Sequence, residues 1–158
     1  MKFQNSTIKN IGCGPVAVYN AFIFAGRGHM MSMVNKELEV ASQPYFSDGA
    51  SVGGISKVLK NHQILRSETE VRKNNINKQF YNKLYNGAGF ILYYEIKKTD
   101  KKIGNDMNHF VFGVFLESKY RIWNSKKGEK NYSVYRSLKQ IKNLKKLKYI
   151  HLIGMKNT

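Results

Sequence analysis

Cysteine is nearly missing from this chain: its 158 residues contain one, Cys13. A single cysteine excludes an internal disulfide and any zinc site built from several thiolates. Prolines number two against 42% hydrophobic and 13% aromatic residues, a balance that excludes extended disorder. Long apolar runs are absent as well. The longest is about as long as the stretch Val16 to Ala25, short of the roughly twenty residues a bilayer-spanning helix needs. The first residues, MKFQNSTIKN, lack the apolar core of a signal peptide, so the chain is expected to be a soluble, cytoplasmic protein. No phosphate-cradling loop is present, because Gly53-Gly54 lacks the flanking lysine and the spacing. With one cysteine and scattered histidines (His29, His62, His151), neither a metal nor a cofactor is expected.

What the chain has in excess is positive charge. Lys and Arg number 27 against 10 Asp and Glu, a net charge of +17. Lys119 to Thr158 alone holds twelve basic residues and one acid, Glu129. Such a field attracts an acidic peptide, nucleic acid or an anionic membrane, and composition does not choose among them. The length suits one domain spanning residues 1–158, long enough to bury about two-thirds of its unfolded surface.

The single cysteine stands in NIGCGPVAVYNAFIFAG, Asn10 to Gly26. A Gly-Cys-Gly turn leads into Pro15, which suits a first helical turn, and Gly26 is a plausible stop. Between them Val16 to Ala25 is apolar except for Tyr19 and Asn20, which predicts a helix sunk in the core. At its N-terminus, unpaired N–H groups and the positive dipole end favour a thiolate. Taken alone, Cys13 reads somewhat more readily as a small buried hydrophobe than as a nucleophile.

Further along, spacing predicts a helix over Met30 to Ala41, a loop over Ser42 to Ala50, and a short helix capped by Ser51 with Ile55, Val58 and Leu59 on one face. Arg66 to Asn74 reads as an exposed connection or weak strand, and Asn75 to Asn86 as a helix presenting Ile76, Phe80, Tyr81 and Leu84. From Gly89 the texture changes. GFILYYEI, NHFVFGVFLE and YRIWN are aromatic and β-branched runs of strand length. Thr99 to Asp106 is the loop between the first two, and Glu117-Ser118-Lys119 a tight turn between the next two. Asn131 to Tyr135 predicts a fourth strand, Ser137 to Lys146 a basic amphipathic helix with Leu138, Ile141 and Leu144 on one side, and Tyr149 to Met155 a last strand. The expected class is α+β, a helical part over about 1–86 and an antiparallel sheet over about 89–156.

His109 opens the second of those strands, and Asn124 closes the third, fifteen residues later. A hairpin turning near Ser118 returns the two to the same end of the sheet. A histidine oriented by an amide, with a thiolate at a helix N-terminus, makes a nucleophile, base and orienter set. His109 alone reads as readily as a strand-end histidine with a structural role.

Cys-Gly-Pro heading a buried helix, a later His-Phe-Val-Phe-Gly-Val strand and an Asn fifteen residues on resemble the papain-like cysteine peptidases, in particular the branch that processes bacteriocins with double-glycine leaders. The resemblance covers about Asn5 to Ile153. It implies a papain-like fold with Cys13 as nucleophile, His109 as general base and acid, and Asn124 holding the imidazole through its side-chain carbonyl. The leader-peptidase branch usually has Asp at that last position. The family's oxyanion glutamine falls at Thr7, so Gln4, Asn5 or Asn10 must replace it, Gln4 being favoured, with the Cys13 N–H as second donor.

Two functions of different class follow. One is a cysteine peptidase cutting a peptide or isopeptide bond, its charge steering an acidic or leader-type substrate; deamidation and acyl transfer use the same three residues. The other is a non-catalytic papain-like module whose basic C-terminal third binds nucleic acid or an anionic membrane.

Overall fold

Nine residues in the middle of the chain, AGFILYYEI, are apolar on both alternations of the strand period, the pattern of a strand covered on both faces. In the computed structural model they form the central strand of the sheet. The structure describes residues 3–5, 13–28, 31–43, 50–72, 78–97, 108–126 and 131–154. In chain order the elements are α1 (Cys13–Phe24), α2 (Met31–Ala41), α3 (Val52–Asn61), β1 (Leu65–Glu70), α4 (Lys78–Lys83), β2 (Ala88–Ile96), β3 (Asn108–Leu116), β4 (Lys119–Trp123), β5 (Tyr132–Tyr135), a 3-10 turn (Leu138–Gln140) and β6 (Leu144–Ile153). The six strands form one sheet in the order β1-β6-β2-β3-β4-β5, each neighbouring pair antiparallel. The class is therefore α+β.

Alternation along the strands divides the core into two layers. Ile91, Phe110, Phe112, Trp123 and Ile153 face α1, α2 and α3, meeting Val18, Phe22, Leu38 and Leu59. Phe90, Leu92, Val111, Ile122 and Ile150 face the other way, where Phe80 of α4 and Leu138 and Ile141 cover them. Full burial of one such side chain stabilises the fold by about 1.5–3 kcal/mol. The predicted caps hold. Gly26, at φ 71°, ends α1 with Arg27 N–H donating to the Phe22 carbonyl and Gly26 N–H to that of Ile23. Ser51 Oγ accepts the Gly54 N–H at 2.9 Å to start α3. The β3–β4 connection is a two-residue turn with Glu117 and Ser118 both at positive φ (54° and 62°), the twist that suits a tight hairpin.

Two expectations are corrected, and one left between two alternatives is decided. Ser137 to Lys146 is not a helix: only the 3-10 turn Leu138–Gln140 forms, Asn143 turns left-handed at φ 65°, and Leu144 already belongs to β6. Local spacing loses to a tertiary demand, because the doubly buried β2 needs its second edge paired and β6 supplies it from Leu144 onward. The weak strand near Arg66 to Asn74 is β1, an edge strand contributed from within the stretch read as helical. The helix expected over Asn75 to Asn86 is the shorter α4; Asn75 and Ile76 lie outside the described residues, as do the Thr99 to Asp106 loop and Met155. No helix among the described residues is long and apolar enough to cross a membrane.

A polar cluster ties α3 to β1 and β6. His151 is fully buried, with its Nε2 at 2.8 Å from Ser56 Oγ. Glu68 Oε1 lies 3.2 Å from the same hydroxyl and accepts from Tyr149 at 2.6 Å, while Lys60 Nζ stands 3.3 Å from Oε2. Burial pushes His151 down to about 4, with Glu68 and the Val52 carbonyl pulling weakly the other way. For Glu68, burial acts upward, but the hydrogen bonds from Tyr149 and Lys60 and the Lys60 charge outweigh it and hold the carboxyl below its ordinary value. The unfolded chain binds a proton at His151 that the folded chain refuses between about pH 6.5 and 4, so stability should fall across that window by on the order of 3 kcal/mol. Glu68 starts to lose its own contribution only below the ordinary carboxylate value of 4.5. Denaturant titrations at a series of pH values check this, and His151→Gln should flatten the slope; an equal slope in both proteins would count against it.

Candidate active site

Cys13 is the first residue of α1, half-buried and outside any disulfide. Its neighbour explains the glycine that follows it. A Cβ on Gly14 would lie 2.5 Å from Ala50 Cβ and 3.7 Å from Phe110 Cδ2, so the start of α1 is pressed between the segment ahead of α3 and the head of β3. Cys13 thus stands in the first turn of the helix, at the positive end of its dipole.

His109 is the second residue of β3, 2% exposed, and pairs with Tyr94 of β2. Phe110 turns toward α1, while the His109 ring meets Tyr94 edge-on at 5.6 Å at the end of the sheet. Its Nε2 lies 2.7 Å from the main-chain carbonyl of Asn124. A carbonyl only accepts, so Nε2 carries the hydrogen and the neutral ring has its lone pair on Nδ1. His109 and Asn124 therefore meet as the hairpin spacing predicts. The atom differs from the expected one, since the main-chain carbonyl takes the place assigned to the side chain. Asn124, just past β4, sits at φ 67°, and this left-handed turn swings its carbonyl back toward β3.

Comparison with family models, with curated proteins and with solved structures gave no match. The chemistry of the site thus rests on its own geometry.

The proposed oxyanion donors separate. Gln4 is held through its main chain: its N–H donates to Asn20 Oδ1 at 2.7 Å, and its carbonyl accepts from Asn20 Nδ2 at 2.8 Å. This explains a buried asparagine in an otherwise apolar helix. Asn5 faces Asn124, accepting its N–H on Oδ1 at 2.6 Å. Thr7 and Asn10 lie outside the described residues. Among the other histidines, His62 Nε2 lies 2.7 Å from Glu37 Oε2 and links α3 to α2, His151 belongs to the cluster above, and His29 is outside the described residues.

Gly14→Ala should destabilise the protein by about 1–3 kcal/mol despite a better helix former, because the new methyl must displace Ala50. In a cycle with Ala50→Gly the two changes should be non-additive in thermal melts. At Asn124 both Gly and Ala remove the side chain, but only Ala retains the positive-φ strain. Asn124→Gly should therefore be about 1 kcal/mol more stable than Asn124→Ala; equal melting of the two variants would contradict it.

Proposed function

We propose that this protein is a thiol hydrolase of papain-like type, acting on a peptide or isopeptide bond. The observation that supports the reading is the hydrogen bond from His109 Nε2–H to the Asn124 carbonyl, which leaves Nδ1 as the ring's acceptor on β3, a strand whose head packs against the start of α1 through Phe110. Cys13, at the positive end of a buried helix, is the nucleophile, and His109 takes its proton across the end of β3. The thiolate attacks the carbonyl carbon, His109 returns the proton to the leaving amine, and water hydrolyses the resulting thioester. Deamidation and acyl transfer follow the same steps with a different leaving group or acceptor. The oxyanion falls to the Cys13 N–H together with a donor from the segment ahead of α1. Exposed Lys139, Lys142 and Lys145 lie along the 3-10 turn and β6, and the net charge of +17 favours an acidic substrate peptide arriving in the cytoplasm.

The alternative, a non-catalytic module for nucleic acid or anionic membrane, draws on the same lysines. It has lost the basic helix that gave it a docking element.

An iodoacetamide probe separates the two readings. Wild-type protein should label selectively at Cys13 at about pH 6, below the range of an ordinary thiol. Cys13→Ala should abolish labelling, and His109→Ala should slow it at least tenfold and lower peptide cleavage on the order of a hundredfold or more. Slow labelling that ignores His109, together with salt-sensitive polyanion binding undisturbed by Cys13→Ala, would reverse the choice.

A further inference from the structure

The atom that orients His109 is a main-chain carbonyl, and a main-chain carbonyl is only as fixed as the turn that carries it. Asn124 is a non-glycine residue at φ 67°, a conformation a few per cent of such residues adopt. Its N–H is held by the side chain of Asn5, 119 positions earlier in the chain, at 2.6 Å. The other end of the same amide, Nδ2, donates to the Asn131 carbonyl at 3.3 Å, on the far side of the loop that leads into β5. Both contacts require one orientation of the amide, oxygen toward Asn124 and nitrogen toward Asn131. Asn5 is 7% exposed, so neither bond competes with bulk water.

The residues beside Asn5 hold it there. Phe3 packs its ring against Phe112 and Trp123, with centroids 5.1 and 4.6 Å apart, and Gln4 is bonded at both main-chain groups to Asn20 of α1. Residues 3–5 thus form a strap that fastens the nucleophile's helix to the ends of β3 and β4.

We propose that Asn5 is a positioning residue for His109: by clamping both ends of the Asn124 to Asn131 loop it fixes the carbonyl that holds the imidazole in its Nε2–H tautomer. The catalytic importance of that tautomer rests on the thiol-hydrolase reading; the tautomer itself does not. Without the clamp the backbone of Asn124 can turn about its φ and ψ, its carbonyl leaves Nε2, and the proton redistributes between the ring nitrogens. Fewer rings then present a basic Nδ1.

The test is NMR of the isotope-labelled full chain, reading the His109 ring nitrogens and the exchange of the Asn124 amide proton. In Asn5→Ala the tautomer ratio should shift about fivefold to tenfold away from Nε2–H, what one hydrogen bond is worth, and Asn124 exchange should quicken by a similar factor. Asn5→Asp keeps the oxygen that accepts the Asn124 N–H but loses the donor to Asn131, so its tautomer shift should be smaller than that of Asn5→Ala. Phe3→Leu weakens the strap's packing but keeps the Asn5 amide, and should lower the melting temperature with a tautomer shift well below that of Asn5→Ala. A folded Asn5→Ala protein with unchanged His109 signals overturns the proposal, as does a Phe3→Leu protein whose tautomer moves as far. Should Asn5→Ala fail to fold, the wild-type protein decides, since an unprotected Asn124 amide would show that the clamp does not hold. Probe labelling of the wild-type protein keeps the two readings apart: slow, unselective labelling of Cys13 with the Asn5→Ala tautomer shift present counts against the hydrolase alone, and rapid labelling with no tautomer shift in Asn5→Ala counts against Asn5 alone.

Discussion

The backbone of β2 is the constraint around which the rest of the chain arranges itself. A strand buried on both faces cannot leave N–H or C=O groups unpaired, because no water reaches them. β3 satisfies one edge through a local antiparallel connection, and β6 must come back from the end of the chain to satisfy the other. That return places β6 between β1 and β2 and draws β1 into the sheet as its outer edge. It also explains why a segment with helix-like spacing of Leu138, Ile141 and Leu144 splits into a 3-10 turn and a strand. The first two apolar residues cover the sheet from below, and the third starts the pairing.

Helices and hairpin converge at one end of the sheet. α1 arrives at the head of β3, the β3–β4 hairpin brings Asn124 back beside His109, and residues 3–5 stitch helix and hairpin together. Each connection uses a different interaction: steric exclusion at Gly14, a histidine-to-carbonyl hydrogen bond at Asn124, an amide clamp at Asn5 and tilted ring packing at Phe3.

The two buried histidines show how environment separates roles. His151 lies within the helix-side layer, its Nε2 on a serine hydroxyl, and burial holds it neutral well below its ordinary range. His109 sits at the end of a strand with Nε2 committed to a carbonyl, so its state is set by a hydrogen bond at a margin of the fold. Both are strand histidines, but His151 lies between Ile150 and Leu152 and pairs with Ile91 in the helix-side layer, whereas His109 follows Asn108 and pairs with Tyr94 of the opposite layer.

By itself the sequence determined the elements whose signals are local. The buried helix with its Gly26 stop, the Ser51 cap, the Glu117-Ser118 turn, the aromatic strands and the His109 to Asn124 spacing all depend on periodicity and turn chemistry within a few residues. The tertiary structure decided everything that depends on distant partners: that Leu144 extends into a strand, that β1 pairs at all, and that Ser56, Glu68 and His151 form a cluster. It also decided which atom of Asn124 holds His109, and that Asn5 fastens that residue. A left-handed φ at a non-glycine position leaves no mark in the one-letter code, and a contact spanning 119 positions has no period to read. Spacing brings residues to the same end of a sheet, and only packing chooses the atoms that meet there.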